Sequence, residues 1–178
     1  LYYFAGKDVW KTLFDLEAMR PGMVLLSAQA PDGNPAWCDV VTLMTPVATR
    51  PWEAWEGSVP GRRPEAYTAL KAAMTQATVD FACARLPELR DAIAHTYAAT
   101  PLTYRHYTGA PHGAAYGLLK DWRSIMASHI PARTKFDNLL LTGQNLTVHG
   151  AIGVTLSAAA TCSEIVGTEY LAKKIANA

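Results

Sequence analysis

The chain has 178 residues, with 16 Lys and Arg against 15 Asp and Glu and a formal net charge of +1. This length predicts one domain or slightly more, and the near-neutral charge excludes the basic face with which nucleic-acid-binding proteins contact phosphates. Because 50% of the residues are hydrophobic and 17% are charged, a disordered chain is excluded too. The cysteines are widely spaced, which excludes a disulfide-stapled fold and favours a reduced, cytoplasmic protein; they are Cys38, Cys83 and Cys162.

The beginning of the chain predicts a helix followed by a β-hairpin. Apolar spacing indicates a helix over 7–19, before Pro21 and Gly22. Residues 23–30 and 36–44 have strand-like composition, and the Pro- and Gly-containing turn between them predicts antiparallel pairing. A short helical turn is expected to begin at Trp52.

A longer amphipathic helix is predicted over 62–85, where apolar residues recur at steps of three and four. We interpret this stripe as part of the core; it consists of Tyr67, Leu70, Met74, Ala77, Phe81 and Ala84. Beyond Pro87, residues 92–99 are predicted as β-like. Helices and hairpins without a regular alternation of strand and helix indicate an α+β fold.

Residues 100–117 are unusual because Gly109, Gly113 and Gly117 are spaced four apart, with aromatic residues between them. Glycine at such positions permits close approach of the backbone to a flat surface. A hairpin with a glycine-rich loop explains the same pattern, and from the residues alone we favour it.

Residues 136–167 form a second unusual segment. The apolar run 139–141 predicts a strand buried on both faces, followed by a polar loop and a helix from 151 to about 174. Strand, glycine-containing loop and helix N-terminus suit an anionic or polar ligand, because the first helical N–H groups are unpaired. Gly153, Ser157 and Ala160 would form a small-residue face that lets the helix approach its neighbour or a bound ring closely.

Other kinds of site are not supported. There is no GxGxxG, P-loop or GxSxG motif, and the histidines lack zinc-site spacing. Cys162 is predicted to be a small buried residue within a helix. We interpret the sequon at Asn145 as chance. The uncharged stretch 138–163 is not interpreted as a membrane span, since it contains polar residues and three glycines. Its apolar part, 151–160, is too short to cross a bilayer and is interpreted as a buried helix.

With both segments in view, the chain resembles the C-terminal part of the phytoene desaturase, carotene isomerase and retinol saturase family of FAD-dependent oxidoreductases. The most specific blocks are 138–145 and 149–154. Supporting blocks are found at 21–23, 51–55, 67–71, 86–90, 100–103, 107–109 and 113–117.

The resemblance implies a domain organisation. In the family, an N-terminal dinucleotide-binding domain is followed by a substrate domain of mixed sheet and helices, and a final strand-loop-helix completes the flavin site. On this basis residues 1–130 belong to the substrate domain and residues 131–178 form the C-terminal FAD-binding segment. The dinucleotide-binding domain, with its GxGxxG element, is absent from these residues. We therefore expect a fragment of a longer enzyme that is inactive alone.

The resemblance also implies site residues. Gly143 and Gln144 would lie beside the ribityl and pyrophosphate groups, although the wider superfamily usually has Asp or Glu where Gln144 stands. The helix N-terminus would face the flavin ring and stabilise negative charge on it. The complete expected cofactor set is Gly143, Gln144, Asn145, Gly150, Ile152, Gly153 and Val154. The expected cavity set is Tyr107, Tyr116, Gly117 and His149, with Tyr104 and His106 as further candidates. No catalytic residue and no metal ligand is identified.

The implied activity is desaturation, saturation or isomerisation of carbon–carbon bonds in an apolar, carotenoid- or retinoid-like substrate. FAD is the expected cofactor and NAD(P) a candidate electron partner; peripheral membrane contact and oligomeric state stay open. Two alternatives also stay open. One is a non-catalytic binding or interaction domain of the same architecture, and the other is a flavin oxidoreductase of the amine-oxidase superfold.

Overall fold

The computed structural model describes residues 1–14, 20–30 and 37–177. The chain divides into two compact units, Leu1–Gly113 and Ala114–Ala178, here called the N-terminal and C-terminal units. A small antiparallel sheet accompanied by helices confirms the α+β class. The boundary between the units lies at 113/114, whereas the assignment of a substrate domain and a cofactor segment, divided at 130/131, stays a prediction.

The sheet of the N-terminal unit has the order β1-β2-β3, and both pairings are antiparallel. Its strands are β1 Tyr2–Phe4, β2 Met23–Gln29 and β3 Val40–Met44. Leu25 lies opposite Tyr2 on one side and Met44 on the other. The predicted hairpin is confirmed, although β3 begins later than expected and the turn at 31–35 lies outside the described residues.

Five α-helices of the N-terminal unit lie within the described residues: α1 Val9–Phe14, α2 Arg50–Glu53, α3 Glu65–Cys83, α4 Leu89–Ala92 and α5 Pro101–Thr108. The helix predicted over 62–85 is confirmed as α3, which begins directly after Pro64. The short helical turn expected at Trp52 is α2. Residues 15–19 of the first predicted helix lie outside the described part of the chain.

The core of the N-terminal unit is aromatic. Trp52, Tyr67, Met74 and Leu102 are buried together. The Trp52 and Trp55 rings both meet Tyr67 edge to face, with centroids 5.7 Å apart in each pair. The interpretation of the α3 stripe as core is confirmed at Tyr67 and Met74, while Ala84 at its end is exposed. On the sheet, Val24 and Leu26 are buried, and α3 packs against β2 and β3.

Two strand-like predictions in the N-terminal unit are wrong. Residues 92–99 form no strand; α4 ends at Ala92 and an irregular segment follows. Residues 100–117 do not form a hairpin, because α5 occupies 101–108. Local capping explains this helix: Pro101 stands in its first turn, the Thr100 N–H donates to Thr103 Oγ1 at 3.1 Å, and Gly109 ends it at φ 68°.

The C-terminal unit is helical. Its α-helices within the described residues are α6 Ile125–Ser128, α7 Gly150–Val166 and α8 Thr168–Ala176. The single helix predicted from 151 to about 174 is thus interrupted at Gly167, where φ is 86° and ψ is 140°. This left-handed φ favours glycine, and it redirects the chain between α7 and α8.

The apolar run 139–141 is not a strand buried on both faces. Leu140 makes one isolated antiparallel bridge with Arg133, and Leu139 and Leu141 are 46% and 38% exposed. A strand buried on both faces needs packed layers above and below it, and the described residues of the C-terminal unit supply none. The three strands of the sheet all lie in the N-terminal unit, so the described residues of the C-terminal unit contribute no strand to it.

The cysteines are free: Cys83 is buried, Cys38 is half-buried and Cys162 is exposed. The prediction that Cys162 is buried is therefore wrong. It follows the fully buried Ser157 by five positions on α7, which on a helix is a rotation of about 140°. Among the described residues, no helix is sufficiently long and apolar to cross a bilayer.

Candidate functional site

The N-terminus of α7 is the centre of the candidate site. His149 occupies the N-cap position and Gly150 begins the helix with φ 81°. The first N–H groups of a helix have no partner within the helix, and they carry its partial positive charge. No side chain caps this end, so the amides of the first turn can donate to an anionic or polar ligand.

Small residues bring α7 against the loop that precedes it. Gly153 is buried, and a Cβ at this position would overlap the carbonyl group of Val148. Ser157 is fully buried one turn later. Thr161 Oγ1 then donates to the carbonyl of Leu141 at 2.7 Å. The expected close approach is confirmed at Gly153, whose neighbour is the loop, and Ser157 of the predicted small-residue face is buried. Ala160, which was predicted to belong to the same face, is exposed.

The segment around Tyr116 meets the same loop. The Tyr116 ring stacks on the imidazole of His149, with centroids 5.6 Å apart and an interplanar angle of 27°. The Leu118 N–H donates to Asn145 Oδ1 at 2.9 Å, and a Cβ at Gly117 would overlap the Asn145 side chain. The structure thus brings Tyr116 and Gly117, both expected in the cavity, against His149 and Asn145 of the loop. The roles of these residues in binding a cofactor or substrate stay predictions.

Lys120 binds the loop that carries Asn145 and Leu146, and sequence reasoning missed this residue. Its Nζ donates to the carbonyls of Ser128, Asn145 and Leu146 at 2.5, 2.6 and 3.0 Å. An ammonium group has three donors, so these bonds use all of them. Leu146 is itself buried, which fixes the middle of the loop. No spacing or motif marks Lys120, because its three acceptors come from other parts of the unit.

The helix end also presents apolar surface. Ile152 is 79% exposed and Val154 is 41% exposed. His149 Nε2 is buried and has no hydrogen-bond partner among the described residues. Gly143 lies in the preceding loop with φ 108°, beside the half-buried Gln144.

These features fit one edge of a flavin. The amides at the start of α7 would donate to a pyrimidine oxygen of the ring, and the exposed side chains of Ile152 and Val154 would give it apolar contact. Gln144 offers an amide, which can both donate and accept. A metal centre has no such support, because the described residues contain no cluster of His, Cys, Asp or Glu that could hold an ion.

The remaining expected residues lie in the N-terminal unit. Tyr104, His106 and Tyr107 belong to α5, and the rings of His106 and Tyr107 are in contact, with centroids 4.8 Å apart. His106 and Tyr107 line a cleft between α3 and α5. Their expected place in a flavin or substrate cavity stays a prediction.

The chain is similar to all-trans-retinol 13,14-reductases. It is 29% identical to that of Homo sapiens and 30% identical to that of Macaca fascicularis, in each case over 143 residues, 75% of this chain and 23% of the relative. It is also 30% identical over 104 residues to an inactive all-trans-retinol 13,14-reductase of Danio rerio, which covers 57% of this chain and 17% of that protein. The chain spans about a quarter of the length of the first curated relatives it matches. No protein-family profile and no solved structure matches it significantly.

Proposed function

This chain belongs to the phytoene desaturase and retinol saturase family, and we propose that it forms the C-terminal part of an FAD-dependent oxidoreductase. The proposed substrate is an apolar retinoid- or carotenoid-like molecule whose carbon–carbon bonds are reduced, desaturated or isomerised, with NAD(P) as electron partner. The names of the relatives support a retinoid, and their greater length supports a larger parent protein. The structural observation that carries the proposal is the uncapped start of α7, beside the stacked Tyr116 and His149.

The residues of this chain would bind and orient the cofactor. FAD, when bound, supplies the hydride-transfer chemistry that side chains lack. The first amides of α7 would hold the polar edge of the ring, and the positive helix end would stabilise negative charge there. The exposed side chains of Ile152 and Val154 would cover the ring and exclude water.

The Tyr116–His149 stack would form a wall of the same cavity. Its position is set by the bond between Leu118 and Asn145 and by the three carbonyls around Lys120. These contacts hold the segment 116–118 against the loop 143–149 without using the amides of α7. The donors proposed for the cofactor therefore remain available while the wall stays fixed.

The test is flavin content in the protein purified from its intact gene. We expect flavin absorption bands in that protein, and lower or no flavin retention by residues 1–178 mixed with FAD. In the intact protein, Ile152→Glu is expected to abolish flavin retention, because the new carboxylate would lie against the polar edge of the flavin ring and repel its negative charge. An acidic residue near a helix N-terminus favours the helix itself, so folding should be preserved.

Ile165→Glu is the matched control. Ile165 lies on the same helix and is 71% exposed, close to the 79% of Ile152, but it is near the opposite end. We expect normal flavin content in this variant. Equal flavin content in both variants would reject the assignment of the α7 N-terminus, and absence of flavin from the intact protein would reject the function.

The similarity to a relative named as inactive favours a second candidate, a binding domain of the same architecture without redox activity. Incubation of the intact, flavin-loaded protein with all-trans-retinol and a reductant separates the two. Saturation of one double bond shortens the conjugated system and shifts its absorption to shorter wavelength. An unchanged spectrum with retained flavin and retinol binding would select the binding domain.

A further inference from the structure

The N-terminal unit contains a cleft of about 310 Å³ between the start of α3 and α5. Three of its lining side chains carry basic nitrogen, whereas no acidic side chain lines it. The residues that line the cleft include Arg63, Tyr67, Thr68, Lys71, His106 and Tyr107. A cleft with basic walls attracts anions.

Arg63 is held at the wall of the cleft without a carboxylate. Its Nη1 donates to the Tyr67 hydroxyl at 2.6 Å, and its Nη2 donates to the Leu102 carbonyl at 3.3 Å. The guanidinium also lies over the Tyr67 ring, 4.6 Å from the centroid. Tyr67 is fixed in turn by a 2.9 Å bond with Thr100. All of these partners are neutral, so the positive charge is positioned but not neutralised by them.

The guanidinium has donors left over. Of its five N–H groups, the two bonds to Tyr67 and Leu102 use one on each terminal nitrogen. Arg63 Nε is buried and has no partner among the described residues. An unsatisfied buried donor is costly, and a nearby anion would offset that cost through its charge.

Lys71 adds a second cation on the same side of α3, one turn after Tyr67. Within the described residues, no ion pair involves Lys71 or Arg63. Arg105 of α5 does have such a partner, since its Nη1 lies 2.5 Å from Glu56 Oε1, and neither of these two residues lines the cleft. The cations of the cleft are therefore left without a carboxylate among its lining residues.

We propose that this cleft binds a phosphate group, carried by a small soluble ester or by a lipid headgroup. Each terminal nitrogen of Arg63 keeps a second N–H beside its bond to Tyr67 or Leu102, so the guanidinium can donate to a carboxylate or to a phosphate. The further donors around the cleft favour the phosphate. The ammonium of Lys71, the hydroxyl of Thr68 and the imidazole of His106 are single-point donors. Such donors suit an anion with three terminal oxygens.

The size of the cleft sets the size of the ligand. Its volume of about 310 Å³ is at the lower end for small-molecule sites, which suits a phosphate with a modest organic group. The Tyr107 ring, 78% exposed at the rim, can stack on a flat group attached to the phosphate. Because every residue involved lies in the N-terminal unit, this site goes beyond the proposed flavin contact and its test requires no flavin.

The test is calorimetric titration of residues 1–178 with inorganic phosphate and with adenosine monophosphate. Sedimentation with phosphatidylcholine vesicles, with and without phosphatidic acid, is measured in parallel. Lys71→Gln is expected to weaken binding about tenfold or more, the usual effect of losing a charge-assisted hydrogen bond. Lys7→Gln changes the net charge equally at an exposed position in the same unit, and we expect it to bind as the unaltered chain does.

The outcomes separate the sources of phosphate. Saturable binding of either soluble ligand supports a soluble ester, and binding only to vesicles that contain phosphatidic acid supports a headgroup. No saturable binding to any probe at concentrations up to about 10 mM would overturn the proposal, as would equal weakening by Lys7→Gln and Lys71→Gln. Circular dichroism checks the fold of each variant, and His106→Gln, at an exposed position, replaces Lys71→Gln if that variant unfolds.

Discussion

The carbonyl oxygen of Val148 occupies the position at which a side chain of Gly153 would begin. The helix α7 and the loop before it therefore touch through backbone atoms, with no side chain between them. This contact aligns the helix end with His149 and, through its stacked ring, with Tyr116. The glycine is required by this packing, whatever ligand the site binds.

Gly153→Ala should destabilise the protein although alanine is the better helix former. The gain in helix propensity is about 1 kcal/mol, but the new Cβ would force the Val148 backbone to move, and overpacking typically costs about 1–3 kcal/mol. Thermal unfolding followed by circular dichroism measures the net change, and a lower melting temperature is expected. Gly57→Ala is the control, since a Cβ there meets nothing within 4 Å. Equal melting temperatures for the two variants would contradict the contact.

Ser157→Ala should stabilise the protein. Ser157 is fully buried, and its Oγ has no partner among the described residues. Removing an unsatisfied buried hydroxyl relieves its desolvation cost, so we expect a gain of about 1 kcal/mol in the free energy of unfolding. Urea denaturation provides the measurement. Ser163→Ala, on the same helix, removes a hydroxyl bonded to the Ala160 carbonyl at 2.7 Å and should bring no comparable gain; a loss at Ser157 would show that its hydroxyl has a partner.

Thr100→Val should destabilise the N-terminal unit by about 1–3 kcal/mol. Thr100 is 5% exposed, its hydroxyl meets that of Tyr67 at 2.9 Å, and it caps α5. Valine keeps the shape but removes the hydroxyl and leaves a buried tyrosine without this contact. Urea denaturation should show a lower midpoint, whereas the exposed Thr96→Val should change stability by less than about 0.5 kcal/mol. Identical midpoints would argue against the Thr100–Tyr67 bond.

The pKa of Asp80 should lie below that of an ordinary aspartate. The Arg90 guanidinium, 2.9 Å away, and the Gln76 amide hold the pKa of this carboxyl below its ordinary value. Because the folded-state pKa is the lower one, the pair contributes stability above the unfolded-state pKa, and that contribution is lost as pH falls through the folded-state pKa. Both partners are exposed, so the effect on stability is small and screened by salt.

The test is NMR titration of the Asp80 carboxyl. Arg90→Gln is expected to raise its pKa toward the ordinary value of an aspartate, and the stability difference from the unaltered chain should shrink at low pH. Arg62→Gln removes an exposed arginine that lies outside this pair, and we expect it to leave the Asp80 pKa unchanged. An equal shift in both variants would mean that net charge, and not the hydrogen bond, sets the pKa.

The hairpin and α3 could be predicted because their signals are local. Two segments of strand-like composition separated by a short turn favour antiparallel pairing with each other, and apolar residues at steps of three and four favour a helix. The helix α5 was missed although Thr100, Pro101 and Gly109 carry its capping signals. Its glycines and aromatic residues were interpreted as a hairpin, and the capping chemistry prevailed over that pattern.

By itself, the sequence determined the α+β class, because this depends on apolar spacing and turn residues along the chain. Its resemblance to known proteins indicated the family and predicted the segments of the candidate site. Only the tertiary structure decided that Tyr116 stacks on His149, that Lys120 binds three carbonyls and that Arg63 lies at the wall of a cleft without a carboxylate. These contacts join residues that are distant in sequence. Their geometry depends on how helices and loops pack, which no local pattern specifies.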